Sequence, residues 1–199
     1  MFYLSRLTIN HSRIANGWLS NPYRIHQRLK MACPGDPRVL FRLEIGEPFT
    51  RLLVQSQTLP DWAAAFNQLP VLQGLPEVKS CDPHLIDGEV YAFRLQANPT
   101  IKRNGSRIGI IGDEAQYAWL EKHLMDAGGK ILRCLTQPFT IQRSMKSEEK
   151  GASPLTHLVV QYDGLLLCQE TEKLQLALAH GIGPAKGFGC GLLSLAHLV

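Results

Sequence analysis

Tyr23, His26 and Lys30 are the residues whose types and spacing could do chemistry together. Asn21-Pro22 just before them reads as a helix start, because an Asn side chain accepts from free first-turn N–H groups and Pro is tolerated at the first helical position. On a helix running to about Ala32, Tyr23 and His26 are three apart and His26 and Lys30 four apart, so both pairs are neighbours. Ile25, Leu29, Ala32 and Cys33 gather on the buried side of that helix, which puts Tyr23, His26, Gln27 and Lys30 on or beside the exposed side. A phenol, an imidazole and an ammonium on one exposed patch suit RNA cutting without a metal. The ribose 2′-hydroxyl must lose a proton to attack phosphorus and the departing 5′-oxygen must gain one; an imidazole can serve either step. A cation stabilises charge building on the phosphate oxygens. The same three residue types also make an ordinary polar helix face, so the trio alone does not define a site. None of the other histidines, His11, His84, His123, His157, His180 and His197, pairs with another at helical metal-ligand spacing.

A second candidate is the glycine-rich stretch Gly181-Ile-Gly-Pro-Ala-Lys-Gly-Phe-Gly-Cys-Gly191. Such glycine density lets backbone approach a ligand or another segment closely. Gly183, Gly187 and Gly189 could do so toward a ligand, and Lys186 could meet a phosphate. The stretch is neither a Walker A loop nor a dinucleotide fingerprint, since it lacks Gly-Lys-Ser/Thr and its glycines follow a helix and precede a strand. A tight turn used only for packing is the competing reading, and both roles can coexist.

The elements that would position these groups follow an α+β order. Phe2–Ile9 reads as a strand with Tyr3, Leu7 and Ile9 on one face. A polar loop, the Tyr23–His26 helix, a strand over Val39–Ile45, a Glu47-Pro48 turn and a strand over Arg51–Thr58 come next. Pro60-Asp61 opens a second helix with Trp62, Phe66 and Leu69 on one stripe. Pro70–Gly88 reads mainly as linker, with room for a short strand near Val78. The pattern then repeats: a strand over Val90–Gln96, an Asn104-Gly105 hairpin, a helix capped by Asp113 and stopped by Gly128-Gly129, and a strand within Lys130–Arg143. Ser144–Pro154 reads as a mobile loop. Asp163-Gly164 signals a hairpin between Leu155–Tyr162 and Leu165–Cys168. A last helix from Thr171 or Glu172 to His180 and a strand over Leu192–Leu198 close the order. Two tandem ferredoxin-like (RRM-like, βαββαβ) domains are the expectation. The first spans 1–80 and carries the candidate catalytic helix; 81–88 is a linker; 89–199 carries a basic hairpin and the glycine-rich loop.

The charge distribution narrows the partner. Net charge is +4 over 199 residues, and 19% of residues are charged. Residues 1–35 contain Arg6, Arg13, Arg24, Arg28 and Lys30 without an acid, and residues 94–112 contain Arg94, Lys102, Arg103 and Arg107 likewise. Acid-free basic stretches fit a phosphate footprint as well as they fit a solvated basic face. The five cysteines show no zinc spacing, which fits reduced thiols in a cytoplasmic protein. No apolar run is long enough for a membrane span, and the first ten residues do not read as a signal peptide.

Gly181-Ile182-Gly183-Pro184-Ala185-Lys186 followed by Gly189-Cys190-Gly191-Leu192-Leu193-Ser194-Leu195-Ala196 resembles the C-terminal signature of the CasE family, the CRISPR repeat endoribonucleases of type I-E systems within the RAMP superfamily. Tyr23-Arg24-Ile25-His26, Phe93-Arg94-Leu95-Gln96-Ala97-Asn98-Pro99 and Ala118-Trp119-Leu120-Glu121 agree in order and place, so the resemblance spans nearly the whole chain. It implies two ferredoxin-like domains, binding of a CRISPR repeat hairpin, and metal-independent cleavage at the 3′ base of the stem to 5′-hydroxyl and 2′,3′-cyclic phosphate ends. It further implies retention of the crRNA with other Cascade subunits. His26 matches the family's catalytic histidine, Tyr23 its helix tyrosine, and Lys186 with its glycines the loop that approaches RNA. Arg24, Arg28, Lys30, Lys102, Arg103 and Arg107 are expected phosphate contacts by charge and location. The implied cofactor set is empty. A non-catalytic RNA-hairpin-binding subunit and a small-molecule domain on the same fold remain alternatives.

Overall fold

The structure is a computed structural model and describes residues 1–46, 48–144 and 155–198. The chain forms two compact units. The first gathers Met1–Asp82, Gly187–Gly189 and the described part of Arg143–Leu155; the second holds Pro83–Gln142, Thr156–Lys186 and Cys190–Val199.

In the first unit the order is β1 (Phe2–Ile9), α1 (Arg13–Leu19), α2 (Pro22–Ala32), β2 (Leu40–Glu44), β3 (Thr50–Ser56), α3 (Trp62–Phe66) and β4 (Glu77–Cys81). The antiparallel sheet runs β2-β3-β1-β4. Alternation places Leu7 and Ile9 of β1, Phe41 of β2, and Leu52 and Val54 of β3 in one apolar core. Ile25, Leu29 and Ala32 of α2 and Trp62 and Phe66 of α3 fill it from the helical side. Ser5 shares the buried face, and its hydroxyl accepts from Trp62 Nε1 at 3.1 Å, which satisfies both polar groups out of water.

Two expectations change here, and the short strand allowed for near Val78 is present. The polar loop after β1 contains α1, started by Ser12, whose hydroxyl accepts from Ala15 N–H. Gly17 and Asn16 weaken its helix propensity, and burial of Ala15 and Trp18 outweighs that. The Pro70–Gly88 stretch supplies β4, paired along β1 with Leu4 opposite Lys79. The strand expected over Val39–Ile45 ends at Glu44, and Ile45 is exposed. The Glu47-Pro48 turn lies outside the described residues.

In the second unit the order is β5 (Val90–Ala97), β6 (Thr100–Arg103), β7 (Ser106–Gly109), α4 (Asp113–Asp126), β8 (Gly129–Thr136), β9 (Thr140–Ser144), β10 (Leu155–Cys168), α5 (Thr171–His180) and β11 (Leu193–His197). The main path of this sheet is β11-β5-β10-β8, with β9 pairing β10 off that path. Counted within each half, both main paths place the fourth strand beside the first, then the third, then the second. With helices after the first and third strands, each half is ferredoxin-like, and the second carries the β6–β7 hairpin as an insert.

The hairpin turns at Asn104-Gly105 as expected, both residues at positive φ (50° and 77°). Asp163-Gly164 does not turn. β10 runs straight through it, with Gly164 opposite Phe93 on one side and Cys134 on the other. A Cβ on Gly164 would lie 2.0 Å from the Arg133 carbonyl oxygen, so this glycine serves close strand packing. Asp163 is held by Arg94 Nε at 2.5 Å and by Gln161 Nε2 at 2.8 Å. Asp113 is also not the cap: Gly112 occupies that position, with no side-chain cap bond, and Asp113 sits in the first turn. The loop expected over Ser144–Pro154 lies outside the described residues beyond Ser144.

Candidate active site

Asn21 caps α2 as its sequence implies, its side-chain oxygen accepting from Tyr23 N–H at 3.2 Å. Burial of Pro22, Ile25, Leu29 and Ala32 then fixes the rotation of the helix about its axis. This places Tyr23, His26 and Lys30 on the half-buried flank of the helix, whereas Arg24 and Gln27 are exposed. The expectation of one exposed patch is corrected accordingly: Phe41 of β2 and residues 187–189 cover that flank. A helix wheel identifies neighbours along one helix, and only packing decides which side is covered.

His26 lies flat over Phe41, with ring centroids 6.3 Å apart and planes inclined by 19°. On the Gly187 side, a Cβ added to that glycine would sit 3.3 Å from His26 Cδ2 and 3.5 Å from Nε2. Nδ1 is buried and has no hydrogen-bond partner among the described residues. Burial first, and the Lys30 charge second, lower the imidazole pKa below its ordinary 6.5, so the ring is neutral at neutral pH. Tyr23 stacks on Phe188 at 6.1 Å and 29°.

The cations read from the sequence divide by environment. Lys30 Nζ donates to the Asp36 carbonyl. Arg28 Nη1 donates to the Ala65 carbonyl at 2.9 Å, so this guanidinium joins α2 to α3. In the second unit, Lys102, Arg103 and Arg107 are all exposed on the hairpin, and Lys102 lies directly opposite Arg107. Like charges directly opposed across a hairpin repel, a cost that an anionic partner would remove.

The glycine-rich stretch is a packed loop. Lys186–Phe188 make one 3-10 turn, and Lys186 is half-buried. Ile182 N–H donates to the Gly191 carbonyl at 2.9 Å, closing the loop's neck. Gly183 has φ 74°, and a Cβ there would meet the Trp119 ring at 2.7 Å, so its missing side chain leaves room for that ring in the second unit. Gly187 and Gly189 lie against His26 and Phe41. Phe41 and Phe188 are the site residues that sequence reasoning missed. Phe41 lies within the strand expected over Val39–Ile45, where nothing in the sequence marks it as part of a site. The signal for Phe188 was an aromatic residue between two glycines, which must find a surface to pack on. Among the described residues, no group of three or more His, Cys, Asp or Glu side chains is placed to hold a metal ion.

This fold and site describe a tandem ferredoxin-like protein with an imidazole and a phenol braced on its second helix. The profile of the family described as CRISPR associated protein matches residues 2–197. The CRISPR-associated endoribonuclease Cse3 of Thermus thermophilus is 32% identical over 216 residues, covering 98% of this chain and 99% of the relative. The Cascade subunit CasE of Escherichia coli is 29% identical over 215 residues, covering 98% and 100%. A solved structure of Thermus thermophilus Cse3 with an RNA representing a pre-cleavage complex matches at TM-score 0.84 and 31% identity, covering 98% of each chain. The chain belongs to the CasE family of CRISPR-associated proteins.

Proposed function

We propose that this protein is an RNA endonuclease that binds the CRISPR repeat hairpin of precursor crRNA and cuts at the 3′ base of the stem. In this reading no metal takes part, the ends left are a 5′-hydroxyl and a 2′,3′-cyclic phosphate, and the enzyme then stays with the crRNA and other Cascade subunits in the cytoplasm. The relatives' names support the class: one is an endoribonuclease, one a Cascade subunit, and a solved relative holds RNA.

The observation that carries the chemistry is the half-buried His26 imidazole beside Tyr23 on one flank of α2, where burial and the Lys30 charge lower its pKa and favour the neutral form. A neutral imidazole can accept the 2′-hydroxyl proton as that oxygen attacks phosphorus; the P–O5′ bond breaks, and the departing 5′-oxygen takes a proton from the imidazolium so formed or from water. Tyr23 orients the attacking group or donates to the phosphate, and basic side chains offset the charge on the phosphate oxygens. The nucleophile is the substrate's own hydroxyl, so the reaction needs proton transfer and charge stabilisation and no metal-bound water. Arg24, Arg28, Lys30 and Lys186, with the close backbone of Gly183, Gly187 and Gly189, remain proposed RNA contacts. A double-stranded stem hides its base edges in a deep, narrow groove, so the exposed cations of the β6–β7 hairpin are assigned to reading its shape.

The test is cleavage of a repeat hairpin RNA in excess chelator, with the ends identified, by the unaltered protein and by His26→Ala. The expected result is 5′-hydroxyl and cyclic phosphate ends, with His26→Ala binding but not cutting. Loss of cutting in chelator would remove the metal-free mechanism. Binding without cutting by the unaltered protein would make it a hairpin-binding subunit instead.

A further inference from the structure

We propose that Phe188 is a positioning residue for Tyr23, the single side chain of a clamp formed by Gly187, Phe188 and Gly189. The proposal rests on the reading of Tyr23 and His26 as the reacting pair. Three consecutive residues meet three different rings. Gly187 lies against His26, Phe188 stacks on Tyr23, and Gly189 lies against Phe41, where a Cβ would be 3.1 Å from the ring. Phe41 in turn lies under His26. Each of the two candidate groups therefore has an aromatic partner, Phe188 for the phenol and Phe41 for the imidazole.

The glycines make the approach possible. A side chain at 187 would crowd the imidazole at 3.3 Å, and Gly189 adopts φ 86°, which other residues rarely take. Backbone can thus lie on His26 and Phe41 while the residue between projects its ring onto Tyr23. A tyrosine on a helix flank otherwise samples several rotamers. Stacking on Phe188 selects one, so the hydroxyl is aimed before RNA arrives. Preorganisation of this kind acts on the chemical step and leaves ground-state binding nearly unchanged.

The experiment is single-turnover cleavage of a repeat hairpin RNA by the full chain, with affinity for the same RNA measured in parallel. The variants are Phe188→Leu, which keeps an apolar side chain without the ring, and Phe188→Tyr, which keeps the ring, each also made in a Tyr23→Ala background. Phe188→Leu is expected to slow cleavage about 10- to 100-fold, the scale of a misplaced reacting group. Affinity should change little, and Phe188→Tyr should restore the rate. In the Tyr23→Ala background, Phe188→Leu should change the rate by no more than about twofold, the scatter of independent sites. An unchanged rate, a loss of affinity as large as the loss of rate, or a full effect of Phe188→Leu without Tyr23 would overturn the positioning role. If the unaltered protein does not cut, or Tyr23→Ala cuts normally, the functional reading fails and this inference with it.

Discussion

The ammonium of Lys30 donates to the main-chain carbonyl of Asp36, and this bond holds a cation one helical turn from His26. The Asp36 carboxylate is itself buried and fixed, accepting from Arg38 N–H at 2.8 Å and Gln57 N–H at 2.6 Å. The position of the charge beside the imidazole is therefore set by the loop after α2 and by the end of β3, as well as by helix geometry.

Removing that charge should move the histidine. Lys30→Gln leaves burial in place and deletes the electrostatic contribution, so the His26 pKa should rise while staying below 6.5. An NMR titration of the His26 ring in the two proteins measures this directly. An unmoved or lowered value would show that the Lys30 charge does not reach the ring.

Stability should depend on pH through the same group. Because the folded chain holds His26 below its ordinary 6.5, the unfolded chain binds that proton more readily. This contribution is fully present above pH 6.5 and is lost as pH falls through the lowered folded-state value. Urea midpoints at about pH 8 and about pH 5, on either side of the ordinary histidine value, should separate more for the unaltered protein than for His26→Gln. Equal separations would mean that His26 is not linked to folding.

The β6–β7 hairpin should carry salt-dependent affinity and no folding energy. Replacing Lys102, Arg103 and Arg107 with Ala should weaken hairpin RNA binding and flatten its log–log salt dependence by about 1 for each phosphate that is no longer neutralised. All three are exposed, and Lys102 faces Arg107, so thermal stability should hold or rise slightly. Unchanged affinity and salt slope would remove the hairpin from the RNA footprint.

Two glycines offer a contrast in folding. Gly164→Ala forces a Cβ to within 2.0 Å of the Arg133 carbonyl in a central strand and should cost about 3 kcal/mol or more. Gly17→Ala, in α1 with nothing within 4 Å of the new methyl, should stabilise by about 0.5–1 kcal/mol. Denaturant unfolding of both variants decides whether strand crowding explains the glycine at 164.

Local chemistry was legible in the residues themselves. Asn21-Pro22 specified where α2 starts, Asn104-Gly105 specified the hairpin turn, and alternation in Phe2–Ile9 specified β1, because caps, positive φ and a two-residue period act over a few residues. Tyr23 and His26 were legible as neighbours for the same reason. The Asp163-Gly164 pair misled because a turn signal and a crowded strand glycine are written with the same two letters, and only the flanking strands β5 and β8 distinguish them. α1 was hidden because burial of Trp18 outweighs the poor propensity of Asn16 and Gly17. Tertiary structure alone decided which flank of α2 is covered and what covers it. Gly187, Phe188 and Gly189 are far from His26, Tyr23 and Phe41 in sequence, and no local rule joins them. Spacing along one helix records which side chains are neighbours, whereas the burial that neutralises an imidazole comes from segments brought together by folding.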